Sequence, residues 1–162
     1  MSDILLSLNP KQQEAVKATH GPVLVIAGAG SGKTRALTHR IAYLIKEKNI
    51  KPWNILAVTF TNKAAGEMKT RVIKLLKQEA NDTYLPMVST FHAACVRILR
   101  RHIELLGYEN SFVIYDMADQ QILVRQILAA LHLNEKQVNP KAVLLYISGA
   151  KDQLITPKQY YA

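Results

Sequence analysis

One cysteine stands in 162 residues, so no disulfide can form within the chain and the fold must hold without covalent cross-links. Cys95 falls on an apolar helix face with Phe91 and Leu99, which predicts a buried, structural thiol. No stretch stays apolar long enough to cross a membrane, and the amino terminus has none of the regions of a secretory signal. The expectation is a cytoplasmic protein with no membrane partner. Internal repeats and low-complexity segments are also lacking. Acidic residues are scarce: 12 Asp and Glu face 21 Lys and Arg, leaving a net charge of +9. That excess points to a polyanionic partner, although a basic balance also serves plain solubility.

What is present is enough apolar material for a core. Hydrophobic residues make up 49% of the chain, and a domain near this length buries about 70% of its unfolded surface. Elements of two kinds alternate. Asn9-Pro10 opens a first helix, with Asn9 as N-cap and Pro10 at the first helical position. Val23 to Ile26 reads as a buried strand, and Lys33 to about Lys48 as a helix. Ile55 to Val58 is a second strand, Asn62 to Lys77 a second long helix and Met87-Val88 a short strand. Thr90 to Leu106 is a helix stopped by Gly107, and Phe112 to Tyr115 a further strand. This order predicts an α/β fold with a parallel sheet. From Asp116 onward only helices are expected: Met117 to Leu131, one opening at Asn139-Pro140, and one beginning at Thr156-Pro157. A domain boundary is therefore expected there, with residues 1–115 forming one part and 116–162 another. The last helix has barely begun at Tyr160-Tyr161-Ala162, which reads as a truncation.

Between the first expected strand and its helix lies Ala27-Gly28-Ala29-Gly30-Ser31-Gly32-Lys33-Thr34. Strand, glycine-rich turn, Gly-Lys-Thr and helix form the phosphate-binding loop of nucleoside triphosphatases. A triphosphate needs many N–H donors close together, and side chains would block its approach. Glycines let the backbone curl inward, and the helix N-terminus adds partial positive charge. Residues Ala29, Gly30, Ser31 and Gly32 would line the cradle. Lys33 would reach the β- and γ-phosphates, and the Thr34 hydroxyl would hold Mg²⁺. Ala27 replaces the usual first glycine, at the position farthest from the phosphates.

A hydrolysing phosphate-loop protein also needs an acidic residue at the end of a second strand. Only Asp116 fits, and its position before a helix, with Asp119 three residues later, reads more simply as a helix cap. At the second strand end, Thr59-Phe60-Thr61-Asn62-Lys63 opens into a helix, and Ser89-Thr90-Phe91-His92 repeats the arrangement at the third. Ligands bind outside the carboxyl ends of parallel strands, so these turns and the phosphate loop are expected to share one edge. Amides and hydroxyls there suit phosphates, and Phe60 could stack on a base. Equally, Phe60 could be a core residue with Thr61 or Asn62 as an N-cap. His92 has no partners for a metal site. Arg97, Arg100 and Arg101 could form a basic face or a merely solvated one.

Together these residues resemble the UvrD/Rep/PcrA family of superfamily 1 DNA helicases, nearest to its PcrA-like members through Arg35 to Tyr43 and Pro52 to Ala65. Leu8-Asn9-Pro10-Lys11-Gln12-Gln13-Glu14-Ala15-Val16 is similar to the family's Q motif. Ala27 to Thr34 is similar to motif I, alanine included, Leu56 to Ala65 to motif Ia, and Val88 to His92 to motif Ib. The resemblance covers the whole chain. It implies a RecA-like ATP-binding domain, called 1A, over residues 1–115, followed by the start of an all-helical insertion, 1B, over 116–162. It further implies that Gln12 recognises adenine, that Arg35 packs near the base or sugar, and that Phe60, Thr61, Asn62, Lys63, Thr90 and His92 lie on a single-stranded DNA track. The implied cofactors are ATP and Mg²⁺, and the implied partners are single-stranded DNA and the remainder of a helicase chain. The parent would move 3′ to 5′ along DNA. The family's Asp-Glu motif, arginine fingers and second RecA-like domain are absent from these residues, so nucleotide binding without appreciable hydrolysis is expected. A small phosphate-loop kinase, or a non-enzymatic nucleic-acid-binding module, would account for parts of the same pattern.

Overall fold

In the computed structural model, residues 3–76, 85–134 and 137–161 are described, and the chain divides into two compact units, Met1–Asn110 and Ser111–Ala162. In the first unit the elements run α1 (Pro10–Lys17), α2 (Lys33–Lys46), a 3-10 turn (Pro52–Asn54), β1 (Leu56–Thr59), α3 (Asn62–Leu76), β2 (Met87–Thr90), α4 (Phe91–His102) and a second 3-10 turn (Ile103–Leu106). Lys77, to which the sequence extends α3, lies outside the described residues.

Local chemistry sets most of these boundaries. Asn9 caps α1 by accepting from Gln12 N at 2.9 Å, and the Gln12 side chain accepts in return from Asn9 N at 3.2 Å, a reciprocal capping box. Thr90 Oγ1 accepts from Ala93 N at 3.2 Å and caps α4. Gly107, at φ +79°, ends the segment that α4 begins.

β1 and β2 pair in parallel, with Leu56 opposite Met87 and Thr59 opposite Thr90. Each strand runs straight into a helix, β1 into α3 and β2 into α4. The core lies under this sheet and between α2 and α3. Ile41 and Ala42 of α2 meet Ala57 of β1 and Met68, Val72 and Leu76 of α3, with Ile4 and Ile55 closing the cluster. A smaller cluster of Leu5, Leu8 and Val16 fixes the amino-terminal segment. The His39 ring donates from Nδ1 to the Ile4 carbonyl across 2.6 Å, so this buried imidazole has its polar atom satisfied.

Three expectations change here. Val23 to Ile26 lies outside any strand, as does Phe112 to Tyr115, so among the described residues the sheet has two strands. The first run still alternates as an extended chain does. Val23 and Val25 help line a small cavity with Ala15, Lys33, Ala36, Leu37 and Arg40, while Leu24 and Ile26 stand 86% and 91% exposed. Apolar content encodes burial, but a strand also needs a neighbour for its N–H and C=O groups, and no described segment supplies one. The third change is Cys95, which is exposed rather than buried. The α4 stripe that carries it buries only Ala94, and Phe91 and Leu99 beside it remain partly exposed.

The second unit contains only helices among the described residues: α5 (Met117–Ala130), α6 (Pro140–Asp152) and α7 (Pro157–Tyr160). α5 packs on α6, burying Val124, Leu128 and Pro140. The three helices begin at capped positions, Asp116, Asn139 and Thr156. Ala162 lies outside the described residues.

Candidate nucleotide and nucleic-acid site

The segment from Ala27 to Thr34 turns back on itself. Ser31 closes the turn, donating from N to the Gly28 carbonyl at 3.4 Å and from Oγ to the same oxygen at 2.7 Å. Gly30 and Gly32 hold left-handed backbone, φ +74° and +85°, which other residues adopt only at a cost. Gly32 is the N-cap of α2 and offers no side-chain cap. The first N–H groups of a 14-residue helix therefore open towards the loop without an internal acceptor, the geometry in which helix ends bind anions.

Two side chains brace this loop. Lys33 folds over it and donates from Nζ to the carbonyls of Ala27 (3.1 Å) and Gly28 (2.8 Å). An anion in the loop would offer that ammonium a stronger, charged acceptor than these neutral ones. Gln12 reaches across from α1 and donates from Nε2 to the Ser31 carbonyl at 2.9 Å. It stands so close that a Cβ on Gly32 would fall 2.5 Å from Nε2. Its amide is thus engaged at both ends, by the capping box and by the loop. The Thr34 and Arg35 side chains are exposed and make no hydrogen bond among the described residues. Thr34 follows Lys33 at the start of α2, whereas Arg35 faces a separate cavity with Thr38, His39 and Arg71.

The second group of expected residues gathers at the carboxyl ends of β1 and β2. Register places Thr59 beside Thr90, so the residues that follow, Phe60 and Phe91, are neighbours across the strand ends. Their ring centroids are 5.5 Å apart and tilted by 47°. Phe60 is 90% exposed and so lies outside the core of the described residues, and Phe91 is 47% exposed. Two adjacent aromatic faces in water are unusual unless something covers them. Thr61 accepts at Oγ1 from Ala64 N at 3.1 Å and so caps α3, but its hydroxyl can still donate outward, as can that of Thr90. The side chains of Asn62, Lys63 and His92 are exposed and unbonded among the described residues. Because Val23 to Ile26 is not in the sheet, two of the three expected turns share this edge. The phosphate loop connects to it through the packing of α2 on α3.

Asp116, the candidate acidic ligand, is a helix cap. Its Oδ1 accepts from Ala118 N (2.7 Å) and Asp119 N (2.9 Å), and Asp119 Oδ2 accepts from Asp116 N (3.1 Å).

Two features went unread in the sequence. The bond from Gln12 to the loop was one, although the Asn9–Gln12 spacing already matched a capping box. The Phe60–Phe91 pair was the other, although both strand ends carry Thr-Phe.

Residues 8–162 match the model of the UvrD/REP helicase N-terminal domain. The chain is 54% identical over 159 residues to the ATP-dependent DNA helicase PcrA of Bacillus subtilis, covering 98% of this chain and 21% of that protein. It is 48% identical over 158 residues to the PcrA of Staphylococcus epidermidis and 49% identical over 157 residues to that of Staphylococcus aureus, again across 21% of each. The chain therefore spans about a fifth of the length of these relatives.

Proposed function

This chain belongs to the UvrD/REP helicase N-terminal domain family, and from that membership we propose that it is the nucleotide-binding portion of an ATP-dependent DNA helicase. The observation that carries the reading is the uncapped start of α2, framed by left-handed Gly30 and Gly32 with Lys33 folded over it. Mg²⁺-ATP fits the residues present. Backbone N–H groups from Ala29 to Lys33 would cradle the β-phosphate, and Lys33 would leave the Ala27 and Gly28 carbonyls for the phosphate oxygens. Thr34, its hydroxyl unbonded, would hold Mg²⁺, which supplies charge neutralisation on the phosphates. Gln12 and Arg35 would meet the adenine and sugar. In taking adenine, Gln12 would exchange its bond to Ser31 for bonds to the base, with its amide oxygen accepting from N6 and its NH₂ donating to N7.

Single-stranded DNA would cross the carboxyl edge of the sheet. A base would stack on Phe60, while Thr61, Asn62, Lys63, Thr90 and His92 would contact the backbone. The parent protein would be a cytoplasmic helicase moving 3′ to 5′, with residues 1–115 in its 1A domain and 116–162 opening its 1B insertion. The chain alone would bind nucleotide with little turnover, because Asp116 is committed to capping α5 and arginine fingers are worth roughly 10³ to 10⁵ in rate.

The test is titration of a fluorescent ATP analogue into the chain with Mg²⁺, wild type against Lys33→Ala. Saturable binding lost in Lys33→Ala is the expected result. Absence of binding overturns the nucleotide reading, and DNA-stimulated hydrolysis by this chain, abolished by Lys33→Ala, overturns the claim that it cannot turn over alone.

A further inference from the structure

A cavity of about 450 Å³ opens at the other end of the sheet, lined by Trp53, Lys69, Met87, Arg97, Arg101 and His102 among others. We propose that it is a second site for single-stranded nucleic acid, distinct from the Phe60 edge. Its position makes the separation plain. Met87 is the first residue of β2 and pairs with Leu56, whereas Thr90 pairs with Thr59 at the far end, roughly 10 Å along the strand.

The lining has the two chemistries that a strand of nucleic acid requires. Lys69 comes from α3 and Arg97, Arg101 and His102 from α4, and no acidic residue lines the cavity among the described residues. Arg97 and Arg101 sit one helical turn apart, so their guanidinium groups project from the same stretch of α4. Both are exposed, and neither makes a hydrogen bond or ion pair among the described residues. Arg100 between them behaves differently, being tied to the Asn110 carbonyl. Two unspent guanidinium groups are well matched to phosphate oxygens, which they bind in forked pairs. The second chemistry is the indole of Trp53, 67% exposed on the rim. A base has a flat face to lay on it, and stacking of this kind tolerates any sequence. An acidic peptide would satisfy the cations but leave the indole in water, which is why the observations favour nucleic acid. The site stands whether or not the phosphate loop takes a nucleotide.

Trp53 is the only tryptophan of the chain, so its fluorescence reports on this cavity alone. The probe is an oligothymidylate of about ten nucleotides, within the range that one small single-strand-binding fold covers. Addition to the 162-residue chain is expected to quench the indole. With Arg97 and Arg101 on phosphates, the affinity read by the quench should fall roughly 7-fold between about 50 and about 200 mM salt. Arg97→Gln/Arg101→Gln is expected to lose the quench and weaken binding at this cavity at least about tenfold, since both forked phosphate contacts go. Phe60→Ala should keep the quench, which separates this site from the strand-end edge. Both arginines are exposed, so helical circular dichroism should be unchanged; should the double variant fail to fold, Phe60→Ala/Trp53→Ala against Phe60→Ala alone, read by fluorescence anisotropy of the labelled oligonucleotide, takes its place and is expected to weaken binding. The proposal is overturned if the quench survives in the double arginine variant, if adding Trp53→Ala to Phe60→Ala leaves binding unchanged, or if the oligonucleotide binds by anisotropy without quenching. Quenching by polyglutamate at the same salt as effectively as by the oligonucleotide would also overturn it, in favour of an acidic protein surface.

Discussion

Gly32→Ala separates two costs that usually arrive together. Gly30 and Gly32 both hold left-handed backbone, φ +74° and +85°. An alanine at either should cost about 1–2 kcal/mol for that conformation. Their surroundings differ. A Cβ on Gly30 meets nothing within 4 Å, whereas a Cβ on Gly32 falls 2.5 Å from Gln12 Nε2. The Gln12 side chain must then withdraw and give up its bond to the Ser31 carbonyl, worth about 0.5–1.5 kcal/mol net. Gly30→Ala is therefore expected to destabilise by about 1–2 kcal/mol and Gly32→Ala by roughly 1.5–3.5 kcal/mol. Urea unfolding followed by Trp53 fluorescence measures both, since the one tryptophan lies in the unit that carries the loop. The decisive comparison repeats the pair in a Gln12→Ala background. With the amide gone, Gly32→Ala should cost no more than Gly30→Ala, giving a coupling of about 1 kcal/mol between positions 12 and 32. Equal costs for the two glycine substitutions with Gln12 present, or no recovery without it, would refute the reasoning.

Gln12→Ala should weaken an ATP analogue by about 1–3 kcal/mol more than a GTP analogue, as measured by competition; equal losses would leave Gln12 a purely structural brace between α1 and the loop. Phe60→Ala should lower affinity for single-stranded DNA by about 1–3 kcal/mol in fluorescence anisotropy. Phe91→Ala, by removing the ring beside it, should do part of the same, and unchanged affinity in both would mean that no base stacks there. Asp116→Ala removes a cap that accepts two N–H groups, so the thermal or urea stability of the helical unit should fall by about 0.5–2 kcal/mol while Mg²⁺-dependent nucleotide binding stays intact; loss of that binding would make Asp116 a metal ligand after all.

Helix starts were legible because a cap is a local event. Asn9, Thr90, Asp116, Asn139 and Thr156 each bond to a backbone N–H two or three residues on, so the sequence carries both partners within one turn. Strands were legible only where their partners were close at hand. Ile55 to Val58 and Met87-Val88 found each other with β1 shifted by one residue, to Leu56–Thr59. Val23 to Ile26 is as apolar as either and forms no ladder, since pairing depends on a second segment that its own residues do not specify. The error at Cys95 has the same origin. Its helical stripe was read correctly, but a stripe says which face is apolar and not what lies opposite it.

The candidate site divides along the same line. The glycines, Lys33 and Thr34 were readable because the phosphate loop is a continuous stretch whose backbone conformation demands those residue types. Gln12 was assigned a ligand, yet it stands nineteen positions from the Ser31 carbonyl it bonds, and only the folded chain shows that contact. The consequence is physical. The same amide that would recognise a base also holds the loop that would hold the phosphates, so a ligand that drew the Gln12 side chain towards a base would loosen its bond to Ser31. Base recognition and loop geometry would then be coupled through one side chain. The net energy of the Gln12–Ser31 bond, about 0.5–1.5 kcal/mol, bounds that coupling, and the cycle between positions 12 and 32 measures that bond.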